Sequence, residues 1–252
     1  MKPFAIVAHR GITTDAPENT ITAFQRAVDL GADAIELDVR LSSDRIPMVF
    51  HDYYLEGVTS VSGPIFNYSA EQLREVVVHN RNRPGPITDR IPTLPEVLEQ
   101  FGGKIGLEIE IKGPEPEAPG IIGNVLRKYK NHWGLISVTS FEPALLLAIQ
   151  KECPGISSDL LFPLSEPWMK PDVVAYQAIQ SARLAQAGVV HLHTTQLIDE
   201  VVNPIQRQGI EVHAWDVDDL HSLEQAVDLG VKRICTNNFQ QAMNYRARIS
   251  KT

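Results

Sequence analysis

The sequence predicts an α/β protein with the (β/α)8 architecture of a TIM barrel, and two observations lead to that prediction. Eight short apolar runs alternate with segments of helical periodicity along 252 residues, the usual length of such a barrel. Gly31, Gly188, Gly209 and Gly230 each stand between a helical segment and the next apolar run, where a helix is expected to end. A doubly wound open sheet is the alternative, but no Gly-x-Gly-x-x-Gly follows the first run, which argues against its dinucleotide-binding version.

The barrel prediction assigns two strands to the first part of the chain and six to the remainder. The predicted strands are residues 4–8, 34–39, 105–111, 135–139, 156–162, 189–193, 210–215 and 231–236. The first helix is predicted from Ile21 to a cap at Gly31, with Asn19 as its N-cap. The other barrel helices are predicted at 93–101, 120–129, 143–151, 173–186, 196–208, 219–229 and 237–249.

Residues 53–92 interrupt this rhythm. Gly and Pro residues punctuate the segment, and only residues 70–78 have helical periodicity. Because about 40 residues rarely hold a core of their own, we predict a small insertion within one domain that spans residues 1–252. The insertion leaves the barrel at His51, after the second strand. We therefore expect it to fold over the end of the barrel at which the strands finish, where its Pro84–Pro86 tip would shape a substrate pocket.

Composition narrows the functional classes. A net charge of −8 provides no basic surface for nucleic acid. Cys153 and Cys235 form neither a disulfide framework nor a zinc spacing. The apolar run at residues 4–8 is too short for a signal peptide or a membrane span. We therefore expect a cytoplasmic protein with a small-molecule partner and no integral membrane segment, while the oligomeric state is left open.

The strand at residues 34–39 carries an unusual pair of acids. Apolar residues alternate with Glu36 and Asp38, so both carboxylates share one face, roughly 6.6 Å apart along the strand. Two such groups repel unless a proton or a cation lies between them. These six residues alone favour a solvated face of an edge strand, but the other acids and bases of the chain favour a functional site.

In TIM barrels, active sites lie at the C-terminal ends of the strands, which we call the mouth. That rule brings together His9, Arg10, Glu36, Asp38, His51, Glu110, Lys112, His213 and Trp215. Three carboxylates, Glu36, Asp38 and Glu110, suit Mg²⁺ or Ca²⁺ better than zinc. The alternative is ion pairing of Glu110 with Lys112 and of Glu36 with Arg10, which explains one pair at a time but not the crowding of all three acids.

His9 and His51 are candidates for an acid–base pair, because imidazole titrates near neutral pH. A lone histidine at a strand end is more often structural, but two that converge on a carboxylate cluster favour catalysis. Arg10 and Lys112 would bind an anion: the guanidinium of Arg10 offers a planar fork of donors, and the ammonium of Lys112 offers a compact positive charge. Together with a metal, these groups suit attack on a phosphate ester.

Four further residues receive no firm assignment. Glu108 shares a strand face with Glu110 but lies one layer deeper, where a buried acid needs a partner. His191 and His193 share a face of the sixth strand, and the sequence gives neither a role. Trp215 suits a pocket wall and barrel packing equally well.

Several short motifs are together far more specific than any one alone. They are His9-Arg10-Gly11, Pro17-Glu18-Asn19-Thr20, Glu36-Leu37-Asp38-Val39, His51-Asp52, Ile91-Pro92-Thr93-Leu94, Glu110-Ile111-Lys112, Ser140-Phe141-Glu142-Pro143 and Trp215. In these motifs the chain resembles the glycerophosphodiester phosphodiesterases, over nearly its whole length. The resemblance implies a metal-dependent TIM-barrel hydrolase that cuts glycerophosphodiesters to sn-glycerol 3-phosphate and an alcohol.

Position by position, the resemblance also implies roles. Glu36, Asp38 and Glu110 match metal ligands, and His9 and His51 match the catalytic pair. The substrate-binding residues implied are Arg10 and Lys112 at the phosphate and Trp215 late in the chain.

The chain departs from the family at three places. The family often has Arg at the position of Gly57, and different residues at 216–218 and 237–239. These departures bear on substrate range, because the metal and acid–base set is intact. The alternatives are a lysophospholipase D or phospholipase D relative on the same barrel, and a barrel that binds a phosphorylated ligand without catalysis.

Overall fold

A computed structural model describes residues 2–81 and 88–250. The strands are β1 (Ala5–Ala8), β2 (Ala34–Leu41), β3 (Pro47–Val49), β4 (Val77–Val78), β5 (Asp89–Arg90), β6 (Gly106–Ile111), β7 (Ile136–Ser140), β8 (Ser157–Leu161), β9 (Val189–His193), β10 (Glu211–Trp215) and β11 (Arg233–Thr236). The helices are α1 (Ile21–Asp29), α2 (Ala70–Glu75), α3 (Leu94–Phe101), α4 (Ala118–Arg127), α5 (Pro143–Glu152), α6 (Pro171–Leu184), α7 (Asp199–Arg207), α8 (Leu220–Asp228) and α9 (Phe239–Ile249).

Eight parallel strands close on themselves in the order β1-β2-β6-β7-β8-β9-β10-β11. The closure is made by β1, which pairs with β2 on one side and with β11 on the other. The predicted (β/α)8 barrel is therefore confirmed, and the open sheet is excluded. β3 adds antiparallel to the end of β2, where Val39 faces Val49, and this pairing delivers the chain to His51 at the mouth.

Two local predictions were wrong. The N-cap of α1 is Thr20, whose hydroxyl accepts from the backbone N–H of Ala23 at 3.3 Å, whereas Asn19 turns its side chain into the barrel. The helix predicted at 70–78 ends at Glu75, because the β-branched run Val76–Val78 favours extended backbone. There β4 pairs with β5 instead.

The insertion (residues 53–92) holds a hydrophobic cluster separate from that of the barrel. We call it the insertion cluster, and its buried members are Met48, Phe50, Leu55, Val58, Ile65, Ala70, Leu73, Val76, Val78 and Ile91. Met48 and Phe50 come from the segment that leads to His51, so the insertion packs on the rim of the mouth. The Pro84–Pro86 tip lies outside the described residues.

The interior of the barrel is polar, and the main hydrophobic core lies between the strands and the helices. Leu37, Ile109 and Val138 point outward into this core and are fully buried. The inward positions alternate with them along each strand. Buried polar side chains at these inward positions are Glu36, Asp38, Glu108, Glu110, Ser137, Thr139, Asp159, His191 and His213.

Asp33 joins three segments at the opposite end of the barrel from the mouth. Its carboxylate accepts from the backbone N–H of Ile6 at 2.8 Å, pairs with Lys2 at 2.5 Å, and pairs with the buried guanidinium of Arg246 on α9. Burial alone would raise the pKa of Asp33, but the hydrogen bonds from Lys2, Ile6 and Arg246 outweigh it and lower the pKa.

Replacing this carboxylate is expected to destabilise the fold. Asp33→Asn leaves Arg246 buried without its counter-charge, and we expect a loss of about 3 kcal/mol in the free energy of unfolding at pH 7. Because the folded-state pKa is lowered, the contribution of Asp33 is present above its ordinary pKa of about 4 and is lost as the pH falls through the folded value. Urea unfolding at pH 7 and pH 3 should show the gap between variant and wild type narrowing at acid pH. Glu166→Gln, at an exposed loop position, is the control; an equal gap at both pH values would contradict the expectation.

Candidate active site

Three carboxylates meet at the mouth because of strand register. In the β2–β6 pair, Asp38 lies beside Glu110 and Glu36 lies beside Glu108. One oxygen from each of Glu36, Asp38 and Glu110 lies within 4.8 Å of the other two, and all three residues are buried. The structure thus places together the three acids that the sequence predicts to converge.

Two cations lie against these acids. Lys112 Nζ is 2.9 Å from Glu110 Oε1 and 3.3 Å from Asp38 Oδ1. Arg10 Nε is 3.2 Å from Asp38 Oδ2. When all three carboxyl groups are ionised, their three negative charges exceed the two positive ones by one.

Within residues 2–81 and 88–250, no Lys or Arg side chain forms an ion pair with Glu36. The backbone N–H of Arg10 donates to Glu36 Oε2 at 3.1 Å, while the Arg10 guanidinium extends to Glu18 at 3.0 Å. The alternative in which Glu36 and Arg10 form a side-chain ion pair is therefore wrong. The reason is local: Arg10 has φ +55°, a left-handed conformation that presents its backbone N–H to Glu36.

The electrostatics of the cluster favour a bound cation. Burial, with Asp38 and Glu110 nearby, raises the pKa of Glu36 well above its usual range, and burial followed by Asp38 raises that of Glu110. Burial also opposes ionisation of Asp38, but Arg10 and Lys112 outweigh it and lower the pKa. Asp38 Oδ1 pairs with Lys112 yet accepts no hydrogen bond from any described residue. Converging oxygens with surplus negative charge are the ligands that Mg²⁺ and Ca²⁺ prefer.

His9 is held by the loops that follow β10 and β11. Its Nδ1 is 2.8 Å from Asn237 Oδ1, and Asn237 is in turn fixed by a 2.7 Å hydrogen bond to Asp218. An amide oxygen can only accept, so Nδ1 carries the proton and Nε2 is unprotonated when the ring is neutral. Burial, and then Arg10, lowers the pKa of His9 and favours this neutral form. The free Nε2 lies 3.9 Å from Glu36 Oε2.

His51 is oriented by a chain of ion pairs that begins in the insertion. His51 Nδ1 is 2.7 Å from Asp52 Oδ1, and Arg81 lies 2.5 Å from the other oxygen of Asp52. The hydrogen bond from His51, with help from Arg81, holds the pKa of Asp52 well below its usual range. Arg81 also lies 3.3 Å from Glu18, which contacts Arg10, so the network of His51 is connected to the carboxylate cluster.

A cavity of about 160 Å³ lies between these groups. Its wall is formed by His9, Arg10, Glu36, His51, Glu108, Glu110, Lys112, Thr139, Phe141, Leu161, His191, Trp215, Asp216 and Cys235. Seven of the nine residues that the sequence predicts at the mouth line this cavity. The other two are Asp38, which lies just behind it against Arg10 and Lys112, and His213.

Trp215 forms an aromatic wall of this cavity. Its ring meets Phe141 edge-on at 6.0 Å and His193 at 4.5 Å, and its buried Nε1 has no hydrogen-bond acceptor among the described residues. His213 does not reach the mouth, contrary to prediction. It lies two residues before Trp215, roughly 6.6 Å deeper along the strand, and contacts His191 instead.

A larger cleft, of about 920 Å³, lies between α2 and α3. Both arginines in its wall are paired with carboxylates: Arg74 with Glu96 at 2.6 Å, and Arg90 with Glu75 at 2.9 Å. This cleft contains none of the converging acids and histidines, so it is not the candidate active site.

Sequence reasoning missed the residues that orient the site. Asn19 donates to Asp38 Oδ2 at 2.8 Å and accepts from the Asp38 backbone at 3.2 Å. Asn19 belongs to the Pro17-Glu18-Asn19-Thr20 motif, but a single Asn does not indicate that its partner is Asp38, 19 positions away. Arg81, Asp218 and Asn237 lie in loops without periodicity, and no pattern in one sequence identifies them.

Comparisons with known proteins agree with this geometry. A glycerophosphodiester phosphodiesterase from Caldanaerobacter subterraneus subsp. tengcongensis is 32% identical over 244 residues, covering 95% of this chain and 96% of the relative. A phosphodiesterase from Oleispira antarctica, solved in complex with the product sn-glycerol-3-phosphate, is 25% identical with a TM-score of 0.80, covering 95% of each chain. The crystal structure of a glycerophosphodiester phosphodiesterase from Agrobacterium tumefaciens shares the fold, with a TM-score of 0.77, 22% identity, and coverage of 96% of this chain and 99% of that one.

The fold and the site, with these relatives, define the class: the protein is an enzyme, a phosphoric diester hydrolase built on a TIM barrel. Residues 9–241 match the model of the glycerophosphoryl diester phosphodiesterase family. The chain belongs to that family, as its motifs predicted. Among the residues described, no helix is both long enough and apolar enough to cross a membrane.

Proposed function

We propose that the protein hydrolyses glycerophosphodiesters to sn-glycerol 3-phosphate and an alcohol, using a divalent metal ion and the histidines His9 and His51. The observation that carries this proposal is the convergence of three acids, two imidazoles and two cations around one small cavity. Such a set can hold a phosphodiester, neutralise its charge and move a proton at each side of the phosphorus.

Substrate binding is assigned to Arg10, Lys112 and Trp215. The guanidinium and the ammonium line the cavity and would bind the phosphodiester anion. Trp215 offers a flat apolar wall to the glycerol or alcohol portion. The relative from Oleispira antarctica, solved with sn-glycerol-3-phosphate, supports a glycerophosphoryl half in this pocket.

The metal ligands proposed are Glu36, Asp38 and Glu110. The surplus negative charge and the raised pKa values of Glu36 and Glu110 support this assignment, and an all-oxygen set favours Mg²⁺ or Ca²⁺. When bound, the ion supplies positive charge to the phosphoryl oxygens.

The two histidines divide the proton transfers. His9 has a free Nε2 beside Glu36, so it acts at the phosphorus as base or nucleophile. His51, hydrogen-bonded through Nδ1 to Asp52, presents Nε2 to the leaving group as general acid.

We further propose that residues 1–252 form one domain, with the insertion at 53–92. We also propose that the protein is cytoplasmic, because its two free, buried cysteines suit a reducing compartment.

Product identification tests the proposal. The protein, supplied with Mg²⁺ or Ca²⁺, is incubated with glycerophosphocholine, and the products are separated. We expect sn-glycerol 3-phosphate and choline in equal amounts. Glycerol with phosphocholine, or no turnover with either ion, would overturn it.

A lysophospholipase D activity is the second candidate, because apolar side chains are exposed on the mouth side. Leu164 and Trp168, in the loop after β8, are 56% and 68% exposed, and Tyr54 in the insertion is 61% exposed. These side chains could contact acyl chains or a lipid surface. Under this candidate, kcat/KM on lysophosphatidylcholine exceeds that on glycerophosphocholine, and Trp168→Ser lowers only the former.

Arg81 supplies a test of how the insertion acts on the site. Arg81→Gln removes the charge that holds Asp52, so His51 loses its fixed orientation. We expect kcat on an alkyl diester to fall about 10- to 100-fold, the usual cost of a misplaced catalytic group. Arg74→Gln, which breaks an ion pair of the insertion far from the mouth, is the matched control and should leave kcat unchanged. Equal losses for the two variants would show a general effect on the insertion instead.

A further inference from the structure

A second group of possible metal ligands lies at the base of the active-site cavity, whose wall includes Glu108 and His191. Glu108 on β6, His191 on β9 and His213 on β10 point into the barrel, and we call them the floor cluster. Glu108 lies two residues before Glu110 on β6, beside Glu36 in the register with β2. Glu108, His191 and His213 are 2%, 2% and 5% exposed. One nitrogen or oxygen from each lies within 4.8 Å of the other two.

The spacing of the two imidazoles fits a shared ion. His213 Nδ1 lies 3.2 Å from His191 Nε2. Two nitrogens bound to tetrahedral zinc at 2.0–2.1 Å are about 3.3 Å apart. The two rings lie at 74° to each other with their centroids 4.7 Å apart, and a carboxylate oxygen of Glu108 lies within 4.8 Å of a nitrogen of each ring.

The surrounding residues resemble the outer shell of a metal site. Glu211 Oε1 lies 2.7 Å from His213 Nε2. A carboxylate there accepts a hydrogen bond from the Nε2–H of the ring and so favours the tautomer with a lone pair on Nδ1, the arrangement common to metal-bound histidines. Arg233 donates to Glu108 Oε1 at 2.8 Å and fixes that carboxylate.

The net charge around the floor cluster and a buried hydroxyl group also support a bound cation. Asp159, with one oxygen 3.6 Å from His191 Nε2, could be a fourth ligand. With Glu108 it outweighs the positive charge of Arg233. Ser137, buried and beside Glu108 in the β6–β7 register, has no hydrogen-bond partner for its hydroxyl within the described part of the chain.

We propose that the floor cluster binds a transition-metal ion of the zinc type, separate from the ion assigned to the mouth. The ligand chemistry distinguishes the two positions. Two imidazoles and a carboxylate select Zn²⁺, whereas the three carboxylates of the mouth select Mg²⁺ or Ca²⁺. The inference does not depend on the proposed function, because it concerns residues to which no catalytic step is assigned.

Metal analysis of the full chain tests it. Because the acids of the mouth could also take zinc, the background is a Glu36→Gln, Glu110→Gln variant, stripped with chelator and dialysed against Zn²⁺. We expect one zinc per chain, and visible absorption bands with Co²⁺ in place of Zn²⁺. Adding His191→Gln should abolish both signals, while adding His193→Gln, on the same strand but outside the cluster, should leave them.

The buried histidines could be needed for folding, so a surface variant provides a second measurement. Glu211 has a half-exposed side chain, and Glu211→Ala removes only the partner of His213. We expect zinc affinity to fall about 10- to 100-fold. No bound zinc in the background variant, zinc retained after His191→Gln, or unchanged affinity in Glu211→Ala would each overturn the proposal in favour of a metal-free polar floor.

Discussion

Glu110→Gln is expected to lower kcat/KM about 10³-fold, since a bound cation contributes several kcal/mol to the transition state of such a reaction. The substitution preserves the shape of the side chain but removes one of three converging negative charges. These charges attract the metal ion, so we expect the loss to fall on metal binding. The free energy of unfolding should change little, because Lys112 keeps its ion pair with Asp38 at 3.3 Å.

Activity and metal dependence are measured together. The wild-type enzyme should lose turnover in excess EDTA after dialysis and regain it with Mg²⁺ or Ca²⁺, while Glu110→Gln should need far more ion for any recovery. Glu166→Gln, another Glu-to-Gln change at an exposed position, is the control. Full wild-type turnover in EDTA would reject the metal requirement.

His51→Ala should lose roughly 10²- to 10⁴-fold in kcat on an alkyl diester, the usual contribution of general acid catalysis. On a p-nitrophenyl diester with the same glycerophosphoryl half, the loss should be much smaller, because p-nitrophenolate leaves without a proton. His9→Ala should be impaired on both substrates. Its Nε2 lies beside Glu36, whereas His51 is held by Asp52 and Arg81 near the insertion.

The comparison of the two histidine variants on the two substrates requires conditions in which the chemical step limits the rate. Equal losses for His51→Ala on the two substrates would refute its role as general acid. The reverse pattern, in which His9→Ala is rescued by the better leaving group, would exchange the two assignments.

The sequence predicts the fold and the members of the site because both depend on short-range patterns. Alternation places Glu36 and Asp38 on one face, and the C-terminal end of a strand brings Glu110 to the same mouth. Depth within the barrel is harder to predict: His213 and Trp215 share a face, yet only Trp215 reaches the cavity.

The orienting residues could not be predicted, for a physical reason. His9 and Asn237 are 228 positions apart, and Asp52 and Arg81 are 29 apart, so each contact depends on how two loops meet. Loop conformation leaves no period in the sequence. The left-handed backbone of Arg10, which turns its N–H toward Glu36, is likewise unmarked, because arginine is not a residue that favours this conformation.

The insertion cluster has a consequence for how the enzyme inactivates. Met48 and Phe50 pack into it immediately before His51, and Arg81 reaches Asp52 from the same segment. A sub-global opening of the insertion would displace His51 while the eight parallel strands stay paired. Thermal inactivation is thus expected at a lower temperature than loss of the barrel, with amide hydrogens of residues 53–81 exchanging faster than those of β6. The catalytic lifetime of this enzyme would then be set by its smaller hydrophobic cluster.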